Sequence, residues 1–267
     1  MHLIRLVTIT SIVLSASLTS QAQYTDTAKI LTAKSDLVKG KYKWQAQKMD
    51  YRLPAKSLLV PGFMIAYGVT SLGNNGLKSV NAEFKDEVYD EHPHKKIPID
   101  NYLQFAPAAA VYGLNAFGIN GKHNLRDRSM IYVMSNIILM GTVSSLKKIT
   151  AVQRPDGSAY TSFPSGHTAE AFASAEFMRK EYKDVSPWYG VAGYAVAATT
   201  GYLRMYNNKH WFSDVVAGAG VGIASTKLAY WLYPKIQHKL FKDKLPGTVV
   251  MPSYQNKAFV LGMVHKF

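Results

Sequence analysis

The feature that most limits the fold is a series of long stretches without charge. Residues 57–77, 102–121, 129–146 and 185–203 contain no Asp, Glu, Lys or Arg, and 215–234 is interrupted by Lys227 alone. Each is near the length that a helix needs to cross a bilayer. Each is also diluted with Gly, Ser, Thr, Asn and Ala, and the mean hydropathy of the chain is only -0.07. Residues 166–178, "GHTAEAFASAEFM", add an amphipathic helical pattern. The spacing predicts an all-α fold: a bundle of about six helices over 57–244, embedded in a membrane. A soluble bundle with a very apolar core is the alternative that the low hydropathy leaves open.

The ends of the chain differ from this middle. "MHLIRLVTITSIVLSASLTSQAQ" has His2 and Arg5 before an apolar run, then Ser20 and Ala22 at the spacing of a signal-peptidase site. Residues 1–22 therefore read as a secretory signal, because the run is short for a membrane anchor. Residues 23–56 are polar and read as an exposed arm. Residues 245–267 alternate apolar and polar around a polar turn, the pattern of a short β-hairpin. Two strands cannot close a barrel.

Charge narrows the partner. Lys and Arg number 31 against 17 Asp and Glu, a formal net of +14. The excess favours an anionic partner: a nucleic acid, an anionic membrane or a phosphorylated substrate. The basic residues fall in the linkers 121–128, 179–184 and 235–244 rather than along a stripe with aromatic platforms, which argues against nucleic acid. If helices alternate in direction, these linkers share one side, the cytoplasmic side by the positive-inside rule. Residues 147–164 and 203–213 then face the other side. A cleaved signal is compatible with that arrangement only if 57–77 does not cross, and its Pro61, Gly62 and "GNNG" make a broken segment reasonable. The chain has no cysteine, so disulfides and thiolate metal sites are excluded.

Three short segments carry the chemistry. "KKITAVQRP" places Lys147 and Arg154 at a helix end and in the loop after it. Arg can hold two phosphoryl oxygens in a fork, and Lys adds a point charge. In "FPSGH", Ser165 is a good N-cap and Gly166 admits a ligand close to the backbone, with His167 beside the helix N-terminus. "RMYNNKHWFSD" spaces Arg204, His210 and Asp214. With a helix starting near Lys209, His210 and Asp214 fall at i and i+4, so the carboxylate can fix the imidazole tautomer. Each segment alone is compatible with an ordinary capped or basic helix end. Together they supply charge neutralisation, a nucleophile and a proton donor, as phosphoryl transfer needs. Behind Asp214, Gly218 and Gly222 leave room for a closely packed neighbouring helix.

The order and spacing K-x(6)-R-P, P-S-G-H and R-x(5)-H-x(3)-D resemble the three signature motifs of the type 2 phosphatidic acid phosphatase superfamily. That group also includes class A acid phosphatases and vanadium haloperoxidases. The resemblance implies a metal-independent phosphatase with no cofactor, acting through a phosphohistidine. His210 would be the nucleophile, oriented by Asp214, and His167 the general acid. Lys147, Arg154, Arg204, Ser165 and Gly166 would bind the phosphoryl oxygens. Leu203 departs from the serine often found there, outside these roles. The implied substrate is a phosphorylated lipid, met at the outer face of a bacterial inner membrane. A soluble periplasmic acid phosphatase is the alternative. A haloperoxidase fits less well because the chain is short, and a lipid-binding scaffold with a vestigial site less well because the histidines, Asp214 and the three cations are intact. Protein partners are not specified by the sequence. The segment 85–102 reads as a solvated loop, with a part in shaping access for a lipid head group as the alternative.

Overall fold

The computed structural model describes residues 55–91, 94–241, 248–255 and 258–265. The expected signal segment 1–22 and nearly all of the expected arm 23–56 lie outside them. A 3-10 turn at Ala55–Leu58 leads into α1 (Leu59–Ser71) and α2 (Asn75–Lys85), which a π-helical turn extends to Asp90. Then follow α3 (Asp100–Leu103), α4 (Ala106–Ala116), α5 (Leu125–Thr150), α6 (Gly166–Tyr182), α7 (Pro187–Tyr206) and α8 (Phe212–Phe241). Thr248–Gln255 (β1) pairs antiparallel with Ala258–His265 (β2), Thr248 facing His265.

Local chemistry sets the helix starts. The side chains of Asn74, Asn124, Ser165 and Ser186 each accept from a backbone N–H of the first turn that follows. Pro187 pre-sets the first turn of α7. α5 ends where Ala151 turns left-handed at φ 45°. The apolar stretch 57–77 does break at "GNNG": Ala55–Ser71 and Asn75–Asp90 meet at 96°.

α6 is the centre of the bundle, packed against α4, α5, α7 and α8. Its sequence pattern predicted an amphipathic helix, yet twelve of its residues are buried. Two properties reconcile the pattern with the burial. Alanines 169, 171, 173 and 175 let neighbours approach on several sides. Its buried carboxylates are paired inside the bundle, as burial requires. Glu170 accepts from Tyr132 at 2.6 Å, and Glu176 holds Arg179 and Tyr194 at 2.6 Å each. Glu181 lies 2.7 Å from His123 Nδ1 and accepts from Tyr230 at 2.6 Å.

α8 closes onto α6 through glycines. A Cβ on Gly218 would lie 2.5 Å from the Ser165 carbonyl oxygen, and one on Gly222 only 2.1 Å from that of Ala169. The sequence expectation of close packing at this pair is met.

Among the described residues two helical segments, Leu125–Thr150 and Phe212–Gln237, are long and apolar enough to cross a membrane; the bent α1–α2 pair would make a third. On α5, Val133, Ile137 and Met140 lie on one face and are 53%, 67% and 63% exposed, a surface suited to lipid. The basic linkers differ from expectation. Arg128 belongs to α5 and is buried, Arg179 is paired on α6, and α8 runs through Pro234 to Phe241. Arg128 and Arg179 are thus helix residues, whereas Lys122 lies in the turn before α5.

Candidate active site

Lys147 lies in the last turn of α5, and its ammonium donates to the carbonyls of Thr161 and Ser162. The intervening loop folds back on itself: Arg154 N–H donates to Ala159 and Ser162 N–H to Val152, both at 2.9 Å. This loop is knitted to the one that carries His210. Lys209 pairs with Asp156 at 2.6 Å, and the Trp211 indole donates to the Gln153 carbonyl at 2.9 Å.

His210 precedes α8 rather than lying on it. The helix begins at Phe212, later than the spacing predicted, after a left-handed turn at Asn208 with φ 56°. The expected pair still forms, with His210 Nδ1 3.5 Å from Asp214 Oδ2. The same carboxylate oxygen accepts from the Ser162 hydroxyl and, at 3.0 Å, from Trp211 N–H. Asp214 therefore caps the first turn of α8 and orients the imidazole at once. The Ser165 N–H donates to the Asp214 carbonyl at 3.0 Å, joining the start of α6 to that of α8.

His210 is 3% exposed, and burial holds its imidazole down at about 4 against the opposing pull of Asp214. It is neutral at pH 7, the form in which a ring nitrogen can attack. His167 is less enclosed. Burial, with Arg204 as the first electrostatic contributor, lowers it to about 4 as well; Asp100 opposes this while Arg154 and Lys147 add to it.

The cradle is cationic and underfilled. The Nε atoms of Arg154 and Arg204 are buried and donate to no protein group. A buried N–H without a partner is costly, and an anion would relieve both. Ser165 is buried, and its hydroxyl serves the Thr168 hydroxyl at 2.8 Å, so its visible role is to cap α6. Gly166 is the first residue of α6, where free N–H groups gather. Among the described residues no three His, Asp or Glu side chains cluster as a metal site would need. A cavity of about 510 Å³ opens beside Asp214 between Ser71, Asn81, Trp211 and Ser213, but none of Lys147, Arg154, Arg204 or His167 lines it. Asp214 is the site residue that this cavity shares with the cradle.

Several contributors were not foreseen. Ser162 on Asp214 is one. Asn81 on α2 is another: it accepts from Ser213 N–H and donates to Ser213 Oγ, both at 2.9 Å, clamping the first turn of α8. The largest correction concerns 85–102, expected to be a solvated loop. Asp100 is 1% exposed and pairs with the Arg204 guanidinium, while Asn101 Oδ1 lies 2.9 Å from His167 Nε2. The loop pattern misled because its charges were read as solvated when one of them is a buried counter-ion.

The model of the PAP2 superfamily matches residues 128–238. That interval holds all eight expected site residues and the helices α6, α7 and most of α8. Over 146 residues the chain is 44% identical to a lipid A 1-phosphatase of Porphyromonas gingivalis, a match that covers 54% of this chain and 32% of the relative. The chain thus matches about a third of the length of that curated relative. Two crystal structures are also similar. Aquifex aeolicus LpxE is 20% identical with a TM-score of 0.42, over 57% of this chain and 94% of the other. A transmembrane PAP2-type phosphatidylglycerolphosphate phosphatase of Bacillus subtilis is 18% identical with a TM-score of 0.40, over 68% and 97%.

Proposed function

We propose that this chain is a metal-independent lipid phosphatase that works through a phosphohistidine at His210, on the extracytoplasmic side of a bacterial inner membrane. One observation carries the reading: a buried, neutral histidine oriented by Asp214 lies in a site whose arginines keep unpartnered buried N–H groups. The 44% identity to a lipid A 1-phosphatase supports a phosphomonoester on a lipid as substrate. The exposed apolar face of α5 supports delivery of that substrate from a membrane.

The steps follow from the placement. Lys147, Arg154 and Arg204 neutralise the phosphoryl oxygens, with the N-terminus of α6 adding its N–H groups. The Nε2 lone pair of His210 attacks phosphorus while the bond to the lipid oxygen breaks. The proton of His167 goes to that oxygen, so an alcohol leaves. His167, now neutral, takes a proton from water as the water oxygen attacks the phosphohistidine. Phosphate departs, and both histidines return to their starting states.

The test is phosphate release by the purified protein in detergent. The panel is phosphatidic acid, phosphatidylglycerol phosphate, an isoprenyl pyrophosphate, lipid A and soluble monoesters, with His210→Ala as control. Release from a phospholipid or lipid A, abolished in His210→Ala, is the expected result. Release from soluble esters alone by detergent-free protein would favour a periplasmic acid phosphatase instead.

A further inference from the structure

The segment 94–104 crosses from α2 to α4 and reaches the site from a part of the chain outside the three motif segments. It is held firmly at its base. Ile97 and Asn207 exchange two hydrogen bonds of 2.8 Å, one from the Ile97 N–H to Asn207 Oδ1 and one from Asn207 Nδ2 to the Ile97 carbonyl. His94 stacks on Tyr206 at 3.5 Å between centroids, and its Nε2 lies 2.7 Å from the Tyr206 carbonyl oxygen. Past this anchor, α3 presents two adjacent side chains. Asp100 takes Arg204, and Asn101 takes His167.

The chemistry of the second contact is specific. An amide carbonyl oxygen only accepts, so with Asn101 Oδ1 at 2.9 Å the hydrogen of His167 must sit on Nε2. That fixes the ring tautomer and direction without a charge. The acceptor also stands where the acid's N–H points, which is the position a leaving-group oxygen must reach. The first contact supplies the missing counter-ion. Arg204 is 7% exposed, and without Asp100 its charge would be buried unpaired.

We propose that Asp100 and Asn101 are positioning residues of the phosphatase site, Asp100 fixing the guanidinium of Arg204 and Asn101 fixing the tautomer of His167 and marking the leaving-group position. This rests on the reading of the site as a phosphatase. The two side chains act on different steps and carry different kinetic signatures. Asn101 governs proton donation. Its loss lowers kcat and leaves the hold on phosphate intact. Asp100 governs the grip on phosphate, so its loss raises KM more than it lowers kcat.

Asn101 is exposed, so its variants keep the bundle intact. With phosphatidic acid in detergent micelles, Asn101→Ala lowers kcat about tenfold to thirtyfold while KM changes less than about threefold. Asn101→Asp keeps an acceptor but adds a negative charge beside His167, among Arg204, Asp100, Arg154 and Lys147. Its kcat stays within about threefold of the parent, and the alkaline limb of its pH profile moves up by about one pH unit. Asp100→Asn raises KM about tenfold. Nitrogen-15 NMR of the histidine rings reads the tautomer without any turnover: His167 is Nε2-protonated in the parent and a mixture in Asn101→Ala. An Asn101→Ala enzyme with unchanged kcat and an unchanged His167 tautomer overturns the proposal, as does an Asn101→Asp profile that does not move. Failure of the parent to release phosphate from any substrate would instead defeat the phosphatase reading, and the NMR comparison would still decide whether Asn101 sets the ring.

Discussion

The two histidine regions of the site are held in opposite ways. His210 is buried in a loop tied down from both directions, by Asp214 on α8 and by Ser162 on the preceding loop. His167 stands on the first turn of α6, half-buried, with one exposed asparagine on its Nε2. The contrast matches what each must do. A nucleophile gains from a fixed, neutral ring with one lone pair aimed at phosphorus. A proton donor must exchange its acceptor for the substrate in every cycle, so a neutral and replaceable partner suits it. The difference is the one that the proposed roles of nucleophile and acid require.

The strongest way to break this comparison is to remove the fixed ring. His210→Ala lowers phosphate release by at least about 10⁴-fold, and residual activity within about tenfold of the parent would reverse the assignment. Asp214→Asn comes next, at about 10³-fold in kcat, because the ring loses the charge that holds its tautomer and stabilises its imidazolium. His167→Ala sharpens the comparison through the leaving group. With a lipid alcohol, the loss is about 10² to 10³-fold. With para-nitrophenyl phosphate, whose leaving group needs no proton, it is less than about tenfold. Equal losses for both substrates would mean that His167 binds phosphate rather than donating a proton.

The motif segments were legible because their contacts are local or their spacing is regular. Lys147, Arg154, His167, Arg204, His210 and Asp214 could be read from three short stretches. The capping of α6 by Ser165 and the glycine contact of α8 followed from residue type alone. What stayed hidden lies far off in sequence. Asn81 meets Ser213 from 132 residues away, and Asp100 meets Arg204 from 104. An aspartate and two asparagines in polar stretches have no periodicity to betray them. The signal that existed for Asp100 was a balance of charge: three cations converge on a site where Asp214 was the one expected carboxylate. The helix α6 was misjudged for a related reason: Arg179 on the same helix pairs with Glu176, but the other partners of its glutamates lie on α5, α7 and α8 and in the 117–124 turn, where its own pattern does not show them.

The pH profile separates the two rings further. His167 must carry its second proton to donate, and in the empty site burial and Arg204 hold it at about 4. A bound phosphate anion offsets the neighbouring cations and raises it. kcat/KM therefore falls as pH rises above about 4, and the alkaline limb of kcat lies above that of kcat/KM, because the first reports the complex and the second the free enzyme. Coincident limbs would show that substrate does not shift the acid. The smallest expected effect tests the scaffold behind His210. Gly222→Ala forces a Cβ to within 2.1 Å of the Ala169 carbonyl oxygen. It should destabilise the fold by about 1–3 kcal/mol, seen as a lowered Tm. An unchanged Tm would mean that α6 and α8 are not held as closely as described.

The central claim is that His210 itself accepts the phosphoryl group. The direct measurement is to quench the enzyme during turnover of a phosphorylated lipid and map the modified peptide by mass spectrometry under conditions that preserve phosphohistidine. The account predicts one phosphoryl group on His210, formed and lost at rates compatible with turnover, and none in His210→Ala. Steady turnover with no phosphoryl group on His210, or with one on another residue, would contradict it.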